Sequence, residues 1–185
     1  VNICPERRFA PSEVHLSDDA RPHLQGYALK FNQPSVDMGG WTEIILPDAV
    51  VLEDDVQALY DHEESKLLGR TSSGTLKLTI DDVGLFFDLD VPDTTVGRDT
   101  LELCRRGDIT GCSFGFFEEE DGWVQSPTGL VRELRKVHVF EITLTPCPAY
   151  PSTEVAERSK RRWEQQQKSS WHDFKKRALR LTEKI

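Results

Sequence analysis

Short runs in which apolar and polar residues alternate, divided by turn-forming residues, fill the middle of this chain and predict β-strands. The first runs from Leu24 to Phe31 and breaks at Asn32-Gln33-Pro34; the second runs from Trp41 to Leu46. Pro47-Asp48-Ala49-Val50 follows, with proline placed as in the first turn of a short helix. Residues 56–60 form a third apolar run, Val56-Gln57-Ala58-Leu59-Tyr60, which ends at Asp61-His62. Gly74 to Ile80 and Gly84 to Val91 alternate on either side of Asp81-Asp82-Val83, the pattern of a hairpin with polar turn residues. Thr110 to Phe117, Leu130 to Val137 and Val139 to Leu144 complete the β reading, which Pro146, Pro148 and Pro151 stop.

Other segments follow a different pattern. Asp93-Thr94-Thr95 offers capping side chains for a helix over 95–106, with Val96, Leu101, Leu103 and Cys104 as its apolar positions. Gly107 stands where a left-handed C-terminal cap belongs. After Glu154 a polar, basic stretch carrying Trp163, Trp171, Phe174, Leu179 and Leu181 reads as helix. Residues 1–23 are polar and irregular. The expected organisation is a flexible N-terminal arm (1–23), a single domain (24–153) and a basic helical tail (154–185). The fold class is α+β, mainly β: a curved sheet or closed β-barrel wrapped by a few helices.

Composition narrows this picture. With 185 residues, 37% hydrophobic and 30% charged, the chain is long enough to bury a core under a very polar surface. No run approaches the roughly 20 apolar residues that span a bilayer. The opening Val1-Asn2-Ile3-Cys4-Pro5-Glu6-Arg7-Arg8 lacks the apolar region of a signal peptide. Cys4, Cys104, Cys112 and Cys147 form no C-x-x-C pair, so they are expected to be reduced thiols in a cytosolic protein. The formal charge of −9 is unevenly divided: residues 154–185 hold ten Lys/Arg against five Asp/Glu, and the remainder is strongly acidic. An acidic body argues against a nucleic-acid-binding globule, because neutralising phosphates needs clustered Lys and Arg.

The residues able to carry chemistry are few, and no cofactor or metal motif is present. Ser113 lies in Gly111-Cys112-Ser113-Phe114-Gly115-Phe116, where both glycines share its side-chain parity and leave its face uncrowded. Cys112, Phe114 and Phe116 point the other way and read as core, although Cys112 remains the rival nucleophile. His62 closes an apolar run among Asp61, Glu63 and Glu64, surroundings suited to a base near neutrality. It has no second histidine at H-E-x-x-H spacing, so a zinc site is not expected. Glu141 and His138 compete to orient the base. They stand three apart on one predicted strand, hence on opposite faces, and an unpaired Glu141 in an apolar strand would be costly. Arg70 and Arg98, each after a glycine, are candidates for an arginine near the oxyanion.

From Gln25 to Thr153 the chain resembles the prohead maturation proteases of tailed double-stranded-DNA bacteriophages. The likeness rests on Gly26-Tyr27-Ala28 with Phe31, Trp41-Thr42-Glu43 with Pro47, and Leu59-Tyr60-Asp61-His62. It continues through Leu68-Gly69-Arg70-Thr71, Gly74-Thr75-Leu76, Asp93-Thr94 and Gly97-Arg98-Asp99. It closes on Arg106-Gly107-Asp108-Ile109-Thr110 leading into the Ser113 segment, and on Phe140-Glu141-Ile142-Thr143-Leu144 through Pro148-Ala149-Tyr150-Pro151.

The resemblance implies a serine endopeptidase with a fold similar to the herpesvirus assembly proteases. It makes His62 the base, Ser113 the nucleophile and Glu141 the third member, with His138 kept as an alternative because the herpesvirus enzymes use a histidine there. Their arginine pair for the oxyanion has no counterpart in Thr145-Pro146-Cys147-Pro148, so backbone N–H groups near Ser113 are expected in that role. The implied substrates are the scaffold-like segment of the major capsid protein and the protease itself, inside the procapsid in the host cytoplasm. No cofactor, metal or membrane is implied, nucleic acid is not an expected partner, and a homo-oligomer stays open. The basic tail becomes a candidate packaging element removed by self-cleavage. The alternative is a non-enzymatic capsid assembly or scaffolding module.

Overall fold

The alternating runs become strands of a mainly β fold whose main sheet curls strongly into a half-barrel. The computed structural model describes residues 5–10, 14–17, 22–146, 156 and 159–169. In chain order the strands begin with β1 (Glu6–Ala10), β2 (His15–Leu16), β3 (His23–Lys30), β4 (Trp41–Ile45) and β5 (Val50–Tyr60). They continue with β6 (Glu63–Arg70), β7 (Leu76–Ile80), β8 (Gly84–Asp90), β9 (Cys112–Ser126) and β10 (Gly129–Leu144). Helix α1 (Thr95–Arg106) separates β8 from β9.

The long β9–β10 hairpin organises the main sheet. β1 runs antiparallel along β9, from the Glu6–Phe116 pair to the Ala10–Cys112 pair. On the other side β10 is paired in parallel twice, with β4 along Leu130–Leu134 and with β5 along Val137–Leu144. β6 then folds back antiparallel on β5. A second, four-stranded sheet has the order β2-β3-β8-β7. Leu24, Leu29, Phe87 and Leu89 from that sheet share one core with Cys112, Phe114, Phe116, Val139, Ile142 and Leu144. The apolar parity read along Thr110 to Phe117 is thus the parity of the core face.

α1 is bounded by the residues expected to bound it. The Thr94 hydroxyl accepts from the Gly97 N–H at 3.2 Å, and Gly107, at φ 77°, donates to the Cys104 carbonyl at 3.0 Å. Arg105 and Arg106 occupy the last turn, where cations suit the helix dipole. The short helix expected at Pro47 is corrected: Pro47-Asp48 is a turn, with Asp48 at φ 65°, and Ala49 accepts from the Val137 N–H at 2.9 Å. Capture by β10 overrides the local proline signal. Residues 159–169 are helical. Apart from Ala156, the rest of the 154–185 segment lies outside the described residues, as do Cys4 and Cys147, and Cys104 and Cys112 are free thiols. Among the described residues no helix is long and apolar enough to cross a membrane.

The segment read as an arm holds β1 and β2. β1 is fastened by charge. Glu6 and Arg8 stand opposite Phe116 and Phe114 and therefore project to the inner face. There Arg8 binds Glu6 at 2.6 Å and Glu43 at 2.7 Å, while Arg132 binds Glu6, Glu43 and Asp121 at 3.1, 2.9 and 2.6 Å. Arg132 and Glu6 are fully buried. Burial works against both guanidinium charges, but Glu43 and Glu6 outweigh it and hold both pKa values above the ordinary one. None of the buried polar atoms in this cluster lacks a partner.

Candidate active site

His62 is positioned by a tight hairpin. β5 and β6 meet at the Tyr60–Glu63 pair, leaving only Asp61 and His62 in the loop, at φ 54° and 57°. Two positive φ angles in a two-residue loop are the turn geometry that matches strand twist, and Gly or Asn usually provides it. A bulky side chain there costs about 1–3 kcal/mol, so the surroundings must hold it. They do so from the end of β10. The Asp61 N–H donates to the Leu144 carbonyl at 3.1 Å, and the Thr145 hydroxyl donates to the Asp61 carboxylate at 2.8 Å.

That turn brings His62 to Glu141, with Nδ1 2.6 Å from Oε1. A carboxylate only accepts, so Nδ1 carries a proton, and in the neutral ring Nε2 is left as the acceptor. Nε2 is buried and has no partner among the described residues. Glu141 is 3% exposed. Burial pushes its carboxyl up, but the hydrogen bonds from His62 and Arg7 and the Arg7 charge prevail, holding it below the ordinary carboxylate value. Arg7 Nε reaches the same Oε1 at 2.7 Å.

Ser113 and Glu141 share a face. Ser113 stands opposite Thr143 and Gly115 opposite Glu141 in the β9–β10 ladder, so all four project to the side away from Cys112, Phe114 and Phe116. Gly115 is required there: a Cβ would lie 2.6 Å from Glu141 Cγ. Gly115 therefore makes room for the carboxylate beside Ser113. Ser113 itself is fully buried, and its hydroxyl donates to the Arg8 carbonyl at 2.9 Å instead of to His62. Of the three expected residues, two are hydrogen-bonded to each other and the third lies on their face.

The competing residues fall elsewhere. Cys112 is buried in the core, its thiol pushed up to about 12 by burial, which removes the thiolate a nucleophile needs. His138 is not on the opposite face from Glu141, as strict alternation predicts. A bulge at Phe140 leaves His138 opposite Phe117 and Glu141 opposite Gly115, hence on one side. His138 is nevertheless held by Glu53 at 3.1 Å and Glu119 at 2.6 Å, away from His62. Arg70 is paired with Asp55, and Arg98 with Asp93 at 2.6 Å. No group of His, Cys, Asp and Glu suited to a metal occurs among the described residues.

The backbone N–H groups expected to serve the oxyanion are those near Ser113. Along Cys112 to Phe116, β9 is paired on both edges, by β1 and by β10. The N–H groups of that stretch therefore face the ladders. Sequence reasoning also missed Arg7 and Thr143. Arg7 had no local signal, but Thr143 shares side-chain parity with Glu141 two residues before it, which was readable.

Residues 10–169 match the family described as caudovirus prohead serine protease. No curated protein and no solved structure matches the chain.

Proposed function

Because the chain belongs to the caudovirus prohead serine protease family, we propose that it is a serine endopeptidase built on Ser113, His62 and Glu141. Membership makes it a capsid-maturation protease that acts in the prohead, where the capsid protein is its partner. The finer reading is that it cuts the scaffold-like segment of the major capsid protein, and its own chain, inside the procapsid. The observation that carries the assignment is the 2.6 Å bond from His62 to Glu141, on the face of Ser113, with the other ring nitrogen unpartnered among the described residues.

In the resting arrangement the Ser113 proton lies toward the Arg8 carbonyl. For attack the hydroxyl turns about its Cα–Cβ bond to His62 Nε2, which takes the proton as Oγ adds to the scissile carbonyl. Glu141 holds the imidazole in the required tautomer and stabilises the imidazolium, itself remaining ionised. The imidazolium then protonates the leaving amine, and water, activated by the same nitrogen, releases the acyl group. Coexpression with the major capsid protein tests this on a gel. Ser113→Ala should leave the capsid protein uncut, and Cys112→Ala should not. Cleavage that survives Ser113→Ala overturns the assignment, and an unmodified chain that never cuts favours the assembly-module reading.

A further inference from the structure

With the β9 backbone from Cys112 to Phe116 paired on both edges, a side chain is the alternative donor for the charge that develops on the scissile oxygen. Thr143 is directly across the ladder from Ser113, fully buried, on the same face. Its Oγ1 has no hydrogen-bond partner among the described residues. Burying a hydroxyl without a partner is unfavourable, and valine would fill the same space and suit the strand as well. The neighbouring polar groups are already engaged: Thr145 with Asp61, and Glu141 with His62 and Arg7. Cross-strand partners hold their Cβ atoms about 4.5–5.5 Å apart, so the two hydroxyls are near neighbours on that face.

We infer that Thr143 is the oxyanion donor, resting on the reading of Ser113 as nucleophile. As Ser113 Oγ bonds to the carbonyl carbon, the π pair of that carbonyl moves onto its oxygen, and the Ser113 proton goes to His62 Nε2. The Thr143 hydroxyl donates a hydrogen bond to the resulting oxyanion. When the intermediate collapses, the pair returns to re-form C=O, the C–N bond breaks, and the amine leaves with the His62 proton. On this reading the hydroxyl is without a partner among the described residues because its partner exists only during reaction.

The test uses the full chain, its coexpressed capsid protein, and a fluorophosphonate that labels activated serines. Thr143→Val should slow both capsid-protein cutting and labelling by about 100–1000-fold. Its melting temperature should stay level or rise, because the substitution removes an unsatisfied buried hydroxyl. Thr143→Ser should stay near the unmodified rate. A merely structural threonine would not separate rate from stability in this way. Wild-type rates in Thr143→Val, beside an inert Ser113→Ala, overturn this inference alone; an active Ser113→Ala overturns the nucleophile assignment beneath it. Should Thr143→Val fail to fold, Thr143→Ala and Thr143→Ser, which share the lost methyl, decide: equal rates overturn the inference, and a large gap in favour of serine supports it.

Discussion

Two buried polar clusters hang on the same β9–β10 hairpin, and they differ in how completely they are satisfied. On the inner side Arg132 and Arg8 meet Glu6, Glu43 and Asp121, and no buried polar atom of that group lacks a partner. On the outer side Ser113, Thr143, Glu141 and His62 gather, and two buried atoms, His62 Nε2 and Thr143 Oγ1, have no partner among the described residues. His62 also sits at a positive φ that its side chain disfavours. A cluster that serves stability closes its hydrogen bonds, whereas one kept for chemistry leaves open the atoms a reaction will use. β1 joins the two. Glu6 and Arg8 enter the inner cluster, and Arg7, between them, turns outward to Glu141.

The sharpest test of this contrast is to remove the nucleophile. Ser113→Ala should lower turnover by roughly a million-fold, as loss of a triad serine does, with little change in melting temperature. Glu141→Gln comes next. An amide can present its NH₂ group to Nδ1 and favour the wrong tautomer, so turnover should fall by roughly ten-thousand-fold. His138→Ala, which removes the hydrogen bonds to Glu53 and Glu119, should leave turnover unchanged. Equal losses in these two variants would break the assignment of the third member.

The inner cluster should respond in the opposite manner. Arg132→Met leaves Glu6, Glu43 and Asp121 facing one another without their main cation. Breaking such a group should cost about 3–5 kcal/mol in urea unfolding, while turnover of the folded fraction at low temperature is largely kept. A variant of unchanged stability would show that the inner cluster does not fasten β1.

How much of this was legible follows from where each signal lay. The α1 caps, the β7–β8 hairpin and the parity of Ser113 against Cys112, Phe114 and Phe116 are local, and each was readable. β1 was not, because Glu6 and Arg8 are charges at inward positions whose partners Glu43 and Arg132 lie 35 and 126 residues away. Charge at inward positions imitates an exposed arm. β6 hid similarly behind the polar Glu63-Glu64-Ser65-Lys66 of an edge strand. The bulge at Phe140 defeated simple alternation, since one extra residue reverses the face of everything beyond it. The pairing of His62 with Glu141 was nevertheless reachable, because a buried carboxylate demands a partner and a histidine is a suitable one.

The smallest expected effect probes the residue that connects the clusters. Arg7 is half exposed, so its contribution to stability is screened and of the order of 1 kcal/mol. Its sign with pH is distinctive. Glu141 has a folded pKa below its ordinary value of 4.5, so its stabilisation is complete above that value and is lost as pH falls through the folded pKa. Arg7→Gln removes a hydrogen bond and a positive charge that oppose burial, so the carboxyl titrates at higher pH. The gap in melting temperature between the two proteins should therefore be widest near neutrality and close as the solution is acidified through the folded pKa. Turnover of the variant should also fail earlier on the acid side, as Glu141 protonates and releases Nδ1. Because Arg7 and His62 share one oxygen, Oε1, the same variant separates two roles. Lower turnover means that Arg7 holds the carboxylate for the histidine, and higher turnover means that it competes with the histidine for that oxygen.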